Sequence, residues 1–508
     1  MPQPYKTMYD LAIVGGGING AGIARDAAGR GLSTLLVEKD DLASHTSSWS
    51  TKLIHGGLRY LEYYEFRLVA EALAEREVLL RAAPHLIAPL QFVLPHEPHL
   101  RPAWMIRAGL FLYDHLGGRK SLPSSFGVEL SDTRWGAGLK STFRRGFVYS
   151  DARVDDARLV VFNAISAREK GGDIRTRTRM VAGRRESGAW RLTLAAASGE
   201  RQEVSARALV NAAGPWVKEV QDQLSAEPTR AQVRHVKGSH IIVPRIHSEE
   251  HAYILQNSDH RIIFVIPYEH KFSLIGTTDI PVEEYEHPEI TSDEIAYLCA
   301  IANAYLAKPI APTDVVWTYS GVRPLYDDGS ADPAAVTRDY VLKLDADNGA
   351  APLLSIFGGK ITTYRRLAEQ ALRELAPFFP QMRPPWTKAE PLPGGDMVRA
   401  DLAAYERDLC ARYPSLDPRL LASLARRHGT RAPRVLGDVE VGADLGPHFG
   451  DTLFAAEIEY LIAQEWATSA EDVLWRRTKC GLHMTTAERE AVAVFLRDGA
   501  DRARRRTP

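Results

Sequence analysis

Three glycines near the start of the chain have the spacing of a phosphate-binding turn. Gly15, Gly17 and Gly20 follow the apolar run Tyr9–Val14 and open a segment of small residues, Ile18–Arg30. The first glycine permits a tight turn, the second lets the backbone approach a pyrophosphate, and the third lets the helix pack close to the strand. The helix N-terminus adds free N–H groups and a positive dipole end. The pattern therefore predicts a dinucleotide site.

Further along the chain, other residues indicate which dinucleotide is bound. Glu38 ends the apolar run Leu32–Glu38, about 20 residues after the glycines, where a carboxylate can accept hydrogen bonds from a ribose diol. The polar stretch Ser44–Ser48 can surround a second half of a long cofactor. A late glycine turn, residues 357–363, precedes another helix, whose N-terminus would stabilise the negative charge of a reduced flavin. NAD does not need this second cradle, so we expect FAD.

The cofactor contacts are therefore expected from the first glycine turn, the polar segment after it and the later glycine turns. The predicted FAD-binding residues are Gly15, Gly17, Ile18, Asn19, Gly20, Glu38, Thr46, Ser47, Ser48, Lys52, Leu53, His55, Gly56, Gly57, Gly214, Gly358, Gly359, Ile361 and Thr362.

The elements that must position these residues follow from the apolar runs. The first 40 residues read as strand, helix and strand, which predicts a right-handed crossover and a parallel sheet. Ala208–Ala213 and Leu353–Phe357 are further strand candidates, and each runs into glycine. Pro and Gly cluster at Ala389–Asp396, as in a linker. After this segment the chain is rich in Ala, Leu, Arg and Glu, which predicts a mainly helical C-terminal domain.

Composition excludes several classes of protein. The chain has 508 residues, a formal net charge of −1, 45% hydrophobic and 25% charged residues, as in soluble globular proteins. The near-zero charge provides no general attraction to nucleic acid, so local cations must hold any anionic ligand. The three cysteines are far apart, which argues against disulfides and thiolate clusters and suits a reducing cytoplasm. We expect no bound metal, no targeting segment and no membrane-spanning helix.

Three longer motifs are together more specific to one family than the glycine turn: HGGLRYLE (55–62), YSGVRPL (319–325) and FGGKITTYR (357–365). A further matching segment is LWRRTKCGL (474–482). With these motifs the sequence resembles the aerobic bacterial FAD-dependent glycerol-3-phosphate dehydrogenases, nearly from end to end. Trp49 departs from the pattern, since the family usually has a small residue there.

The resemblance implies the fold and its division into domains. The fold class is α/β, with a Rossmann-like FAD-binding domain, an inserted antiparallel-sheet substrate domain like that of glycine and amino-acid oxidases, and an α-helical C-terminal domain. We expect an oxidoreductase region at 1–388, a linker at 389–396 and the helical domain at 397–508. The FAD-binding parts are expected at about 1–90, 145–230 and 350–388, and the substrate-binding parts at about 91–144 and 231–349.

The resemblance also implies a reaction and its residues. The substrate sn-glycerol 3-phosphate would be oxidised to glycerone phosphate by hydride transfer from C2 to flavin N5, with electrons passed to a membrane quinone. A phosphate dianion needs cations, and a guanidinium fork matches its oxygens. A histidine is the candidate base because its ordinary pKa lies near working pH. We expect catalytic roles for His240 and Arg323, and substrate contacts from Arg59, Tyr60, Lys360, Thr278 and Asp279.

Other functions and partners remain open at this stage. Oxygen could replace quinone, which would make the protein a glycerol-phosphate oxidase, or the same fold could hold an amine or amino-acid oxidase. A noncatalytic flavin-bound regulator is the alternative from another class. The segment His99–Leu116 mixes large apolar residues with Arg101 and Arg107, so it could lie in an anionic lipid interface, or pack in the core or in a homodimer. We expect a cytoplasmic protein, peripheral on the cytoplasmic face of the inner membrane.

Overall fold

The computed structural model describes residues 8–97, 102–118, 121–224, 232–257, 261–327, 339–346 and 349–506. The strands are β1 (Met8–Val14), β2 (Thr34–Val37), β3 (Leu53–Ile54), β4 (Ile87–Pro95), β5 (Phe126–Glu129), β6 (Arg145–Val154), β7 (Asp173–Arg175), β8 (Thr178–Glu186), β9 (Ala189–Ala196), β10 (Arg201–Asn211), β11 (Gln232–Pro244), β12 (Ala252–Gln256), β13 (Ile262–Tyr268), β14 (Phe272–Gly276), β15 (Ile280–Pro281), β16 (Trp317–Asp327), β17 (Val341–Asp345), β18 (Leu353–Phe357), β19 (His448–Gly450) and β20 (Leu453–Phe454). The helices are α1 (Ile18–Gly29), α2 (Phe66–Ala82), α3 (Ala103–Leu116), α4 (Asp156–Glu169), α5 (Val217–Leu224), α6 (Ser292–Tyr305), α7 (Tyr364–Leu375), α8 (Leu402–Arg412), α9 (Pro418–His428), α10 (Ala432–Leu436), α11 (Ala455–Glu465) and α12 (Thr486–Arg506).

The first sheet is the Rossmann-like core. Its strand order is β17-β18-β10-β1-β2-β7, and the strands from β18 to β7 run parallel. The antiparallel hairpin β8–β9 extends β10. Strands β1 and β2 are apolar and buried, as expected for parallel strands covered on both faces. Helix α1 packs against α4 and α7, so the glycine turn before α1 is held between the sheet and two later helices.

The second sheet is inserted between strands of the first and is mostly antiparallel. Its path is β15-β11-β14-β13-β12-β4-β6-β3, with β16 beside β11 and β5 beside β6. Only the β4–β12 pair among its described pairings is parallel. Apolar residues of α6, such as Leu298 and Ile301, pack on one face in a core with Ile241 and Val243. A second core on this sheet includes Leu73 of α2 and residues of α3.

The C-terminal part is helical and has its own core. Helices α8 to α12, with the short hairpin β19–β20, bury a cluster that includes Leu421, Leu424, Ile458 and Leu461. Residues 389–396, where the sequence predicts a linker, contain no helix or strand. Of the described helices, none is both long enough and apolar enough to cross a bilayer.

A tight turn replaces the start of one helix that the sequence suggests. The composition of Tyr63–Arg81 is helical, but α2 begins at Phe66, after a 3-10 turn over Leu58–Tyr63. Gly57 and Tyr64 flank that turn in the left-handed region, with φ of 75° and 59°. The motif HGGLRYLE is therefore displayed on a turn and not on a helix face.

Candidate functional site

The first glycine turn has the geometry that a dinucleotide needs. Gly15 has φ of 110°, and a Cβ there would overlap the carbonyl of Ala212. A Cβ on Gly20 would overlap the carbonyl of Gly15, so this glycine allows α1 to approach the turn. A Cβ on Gly17 would lie 3.0 Å from the Ser47 hydroxyl. These positions leave the backbone open toward the cleft in front of α1.

That cleft has an empty volume of about 1040 Å³, including open solvent at its mouth. Ten of the predicted cofactor residues line it: Gly15, Gly17, Ile18, Asn19, Glu38, Thr46, Ser47, Gly214, Gly358 and Gly359. Sequence reasoning missed other lining residues, among them Thr178, Arg179, Met180 and Trp216. The first three lie on β8, and no local motif reveals that this hairpin reaches the cleft. Trp216 lies two residues after Gly214, a predicted cofactor residue, so its position in the sequence could have indicated it.

The residues of the cleft fit a polar ligand. The Asn19 amide donates to the Gly358 carbonyl at 3.0 Å, which joins the late glycine turn to α1. The Oδ1 of Asn19 and the hydroxyl of Ser44 are buried and have no hydrogen-bond partner among the described residues. Buried polar atoms without partners are costly, so a polar ligand here would be stabilised. Gly358 and Gly359 have φ of 73° and 106°, which side chains rarely adopt.

Glu38 stabilises the glycine turn after β1 and the loop after β2. One carboxylate oxygen accepts from the Gly16 amide at 2.6 Å, and the other accepts from the Asp40 amide at 2.9 Å. Burial raises the pKa of this carboxyl, although the backbone hydrogen bonds oppose the shift. A ribose contact of Glu38 stays a prediction.

Some predicted cofactor residues contact other parts of the protein near the cleft. The Lys52 ammonium is buried and bonds Asp156 at 2.8 Å and the Ser48 carbonyl at 2.7 Å. Burial lowers the pKa of Lys52, and Asp156 acts in the opposite direction. Leu53 is buried in β3, opposite Arg153 of β6. Lys52 and Leu53 thus fix the end of the polar segment through protein contacts.

A second group of predicted residues meets where the late glycine turn touches the HGG motif. The Thr362 hydroxyl bonds the backbone N and O of His55 at 3.3 and 3.4 Å, and Ile361 precedes it in the same short turn. The Gly56 amide donates to the Tyr113 hydroxyl at 2.8 Å, and a Cβ here would overlap Leu73. Burial lowers the pKa of His55, and the negative charge of Asp151 partly opposes this shift.

Two cations without a counterion among the described residues lie on the two turns that meet here. The Lys360 ammonium lies 4.1 Å from the ring centroid of Tyr60, and Arg59 immediately precedes Tyr60 on its turn. Neither Arg59 nor Lys360 has an ion pair or side-chain hydrogen bond in the described part of the chain, and both are half-buried. Neighbouring cations without carboxylates attract an anion such as a phosphate dianion.

His240 lies buried on β11. Its Nε2 is 3.0 Å from the Thr51 hydroxyl, and its ring stacks on Tyr319 at 4.7 Å between centroids. Its Nδ1 is buried and has no hydrogen-bond partner among the described residues. Burial, together with the positive charges of Lys52 and Arg323, lowers the pKa of His240 to about 3. The imidazole is therefore neutral at ordinary pH, and in this environment it is a weaker base than an exposed histidine.

The remaining predicted residues surround Arg323 on β16. Arg323 bonds the Asp279 carboxylate and the Thr278 carbonyl, the latter at 3.4 Å. The Thr278 hydroxyl points elsewhere: it accepts from the Ser239 amide and donates to Glu294, each at 2.9 Å. The structure thus brings Arg323, Thr278 and Asp279 together, but it uses the Thr278 hydroxyl in an internal network that the sequence did not reveal.

Comparison with known proteins decides the family. Residues 10–365 match the family described as FAD dependent oxidoreductase. The chain belongs to the FAD-dependent oxidoreductases. Residues 385–497 match the family described as the C-terminal domain of alpha-glycerophosphate oxidase. FAD is therefore the cofactor of this oxidoreductase, as the sequence predicted, and the cleft in front of α1 fits it.

Similar proteins extend the match over nearly the whole oxidoreductase. It is 55% identical to a glycerol-3-phosphate dehydrogenase of Pseudomonas aeruginosa, over 97% of this chain and 96% of the relative. It is 53% identical to a D-erythritol 1-phosphate dehydrogenase of Brucella abortus, over 96% and 97%. The solved glycerol-3-phosphate dehydrogenase of Bacillus halodurans, complexed with FAD, is 26% identical with a TM-score of 0.73, over 93% and 86%. The predicted fold class and the family resemblance are confirmed.

Proposed function

We propose that this oxidoreductase converts sn-glycerol 3-phosphate to glycerone phosphate and passes the electrons to a membrane quinone. The observation that carries the proposal is the pair of cations Arg59 and Lys360, to which no described residue offers a carboxylate; Lys360 follows Gly359 of the cofactor cleft, and Arg59 precedes Tyr60, whose ring Lys360 contacts. An amine or amino-acid oxidase would need a carboxylate clamp and an apolar side-chain pocket instead. The names of the similar dehydrogenases support a phosphorylated polyol.

Each side chain then has a defined task. Arg59 and Lys360 bind the phosphate, and the Tyr60 hydroxyl adds a hydrogen bond. The Arg323 guanidinium, fixed by the Thr278 carbonyl and Asp279, holds the glycerol oxygens and polarises the carbonyl as it develops. The contribution of FAD when bound is acceptance of a hydride from C2.

The proton of the C2 hydroxyl needs a base. We assign this role to the neutral His240 imidazole, whose Nδ1 has no partner within the described part of the chain. The Thr51 hydroxyl and the Tyr319 ring hold the imidazole in one orientation. Accepting a proton at Nδ1 becomes easier when an anionic substrate lies nearby, because negative charge raises the pKa of an imidazole.

The predicted cofactor contacts and domain bounds are part of the proposal. The glycine turn and the polar segment bind the dinucleotide, whereas residues 55–57 and 358–362 surround the flavin. The predicted FAD-binding parts contain most of the first sheet and the predicted substrate-binding parts most of the second, although β3 and β6 of the second sheet and β17 of the first fall on the other side of these bounds. The segment 389–396 separates the helical domain. The two sheets and the irregular segment support this division.

A second substrate has direct support. The Brucella relative is named for D-erythritol 1-phosphate and is almost as similar as the Pseudomonas enzyme. Both compounds carry a phosphate, so the cation pair does not discriminate between them. Anaerobic mixing of the yellow holoenzyme with each compound, followed by flavin absorbance, tests the proposal. If glycerol 3-phosphate reduces the flavin faster and at lower concentration, the proposal is supported. If erythritol 1-phosphate reduces the flavin faster, erythritol 1-phosphate is the substrate instead.

The electron acceptor is tested in the same way. The match to a domain named for an oxidase makes oxygen the competing acceptor. The reduced enzyme is mixed with a water-soluble quinone or with oxygen, and flavin reoxidation and hydrogen peroxide are measured. Rapid reoxidation by quinone with little peroxide supports a dehydrogenase, whereas rapid peroxide formation makes the enzyme an oxidase.

An exposed apolar face supports the proposed membrane contact. On α3, Trp104 and Phe111 are 70% and 57% exposed, and Tyr64 on the neighbouring turn is 80% exposed. Such a face fits the headgroup boundary of a bilayer. His99–Arg101 of the predicted segment lie outside the described residues. We infer a peripheral protein on the cytoplasmic face of the inner membrane.

Sedimentation with anionic liposomes tests this inference. Trp104→Ser with Phe111→Ser is expected to reduce sedimentation strongly, whereas Val398→Ser, an equally exposed apolar site in the segment before α8, leaves it unchanged. If the double variant instead converts a dimer to a monomer and leaves sedimentation unchanged, the face belongs to a homodimer and the membrane contact is wrong.

A further inference from the structure

A short segment of the helical domain reaches the loop that borders the cofactor cleft, and the proposed reaction does not use it. We call residues 474–482 the clasp segment and residues 38–52 the cofactor loop. Arg476 and Arg477 of the clasp segment are buried against Asp41 of the cofactor loop. Arg477 bonds both carboxylate oxygens of Asp41, at 2.7 and 2.8 Å, and Arg476 Nε donates to one of them at 2.7 Å.

The clasp segment also supports the other end of the cofactor loop. Lys479 forms an ion pair with Asp155, at the start of α4. The next residue, Asp156, holds Lys52 at 2.8 Å. The clasp segment therefore contacts the first part of the cofactor loop directly, at Asp41. It supports the last part of the loop indirectly, because Lys479 binds Asp155 and the neighbouring Asp156 binds Lys52.

The inner side of the cofactor loop touches the phosphate-binding turn. The Ala43 amide donates to the Gly16 carbonyl at 3.1 Å. The Ser47 hydroxyl accepts from the Ile18 amide, at the N-terminus of α1, at 3.0 Å. Residues of this loop also line the cleft. A displacement of the loop would therefore alter the backbone groups that face the cofactor.

The charges explain why the contact is specific. Asp41 is 3% exposed and Arg477 is fully buried. Arg477 alone holds both carboxylate oxygens of Asp41, whereas Arg476 bonds one of them and Arg177 lies 4.0 Å away. Loss of Arg477 would leave the buried Asp41 carboxylate only partly compensated, which favours rearrangement of the cofactor loop that carries it.

We propose that Arg476 and Arg477 are positioning residues that hold the cofactor loop in its FAD-binding conformation. The helical domain then determines how firmly FAD is retained. This inference concerns the cofactor alone and does not depend on which alcohol is oxidised or which acceptor is used.

FAD release from the holoenzyme tests the inference. Arg477→Gln and Asp41→Asn are compared with Arg431→Gln, a control that breaks another ion pair between the helical domain and α4, in which Arg431 is buried and Glu169 is 41% exposed. Release is followed after dilution by the rise in flavin fluorescence, and global stability by urea unfolding. The two loop variants are expected to release FAD about tenfold faster or more, a difference of about 1.4 kcal/mol. The control is expected to lose stability without this acceleration.

A second measurement guards against a general loss of structure. Hydrogen exchange in peptides covering residues 38–52 should accelerate in Arg477→Gln and not in Arg431→Gln. The variant that combines Arg477→Gln with Asp41→Asn should release FAD no faster than Asp41→Asn alone, since Asp41→Asn already removes the carboxylate that Arg477 contacts. Equal release rates in the control and the loop variants, or an unchanged rate in Asp41→Asn, would overturn the proposal. If Arg477→Gln fails to fold, Asp41→Asn decides alone.

Discussion

Replacing Lys360 with glutamine should weaken binding of a phosphorylated substrate selectively. Lys360 is half-buried, lies 4.1 Å from the Tyr60 ring centroid and has no carboxylate partner among the described residues, so its charge is available to the ligand. A hydrogen bond to a charged group contributes about 1.5–3 kcal/mol. The dissociation constant of glycerol 3-phosphate should therefore rise about 10- to 150-fold. Lys360→Arg should recover part of this loss.

The assay is anaerobic flavin reduction at increasing glycerol 3-phosphate concentration. The concentration at half-maximal rate reports binding, and the limiting rate reports the chemical step. Lys388→Gln is the matched control, because Lys388 is exposed and lines a separate cavity between α2 and α7. Binding should change in Lys360→Gln alone. Unchanged binding in Lys360→Gln, or an equal loss in the control, would refute the assignment of the cation pair.

Two further predictions concern histidines. His240→Gln should slow flavin reduction about 10²- to 10⁴-fold with a small change in substrate binding, since it removes the proposed proton acceptor; a change confined to binding in stopped-flow titrations would show that the base lies elsewhere. Burial lowers the pKa of His251 to about 3, whereas the pKa in the unfolded chain is 6.5. Between these two pH values the unfolded chain binds more protons than the folded protein. The free energy of unfolding therefore falls as the pH drops below 6.5. Near pH 5 this residue contributes a slope of about 1.4 kcal/mol per pH unit, which His251→Asn should remove in urea unfolding; an identical slope in both proteins would contradict the prediction.

Local patterns predicted the cofactor side of the molecule well. The run Leu353–Phe357 coincides with β18, and the glycine spacing located the turn between β1 and α1. Such features depend on residues close together in sequence, where periodicity and backbone sterics act directly. The same reasoning identified Thr278 but not the direction of its hydroxyl group, because the partner Glu294 lies on α6, a separate element.

Long-range contacts are the part that sequence reasoning could not supply. Lys360 and Tyr60 meet although they are far apart in the chain, and Asp41 meets Arg477 from the opposite end of the protein. Single charges carry no spacing signal, so nothing local indicates their partners. Lys360 and Tyr60 meet where two turns pack together, and Asp41 meets Arg477 where the clasp segment packs on the cofactor loop.

Deuterium at C2 of the substrate tests the central claim most directly. Holoenzyme is mixed without oxygen with ordinary or C2-deuterated sn-glycerol 3-phosphate, and flavin bleaching is followed at saturating concentration. The account predicts full bleaching that is several-fold slower with the deuterated compound, since the C2–H bond breaks as the flavin is reduced. A flavin that stays oxidised with this substrate, yet is bleached by a compound without phosphate, would contradict it.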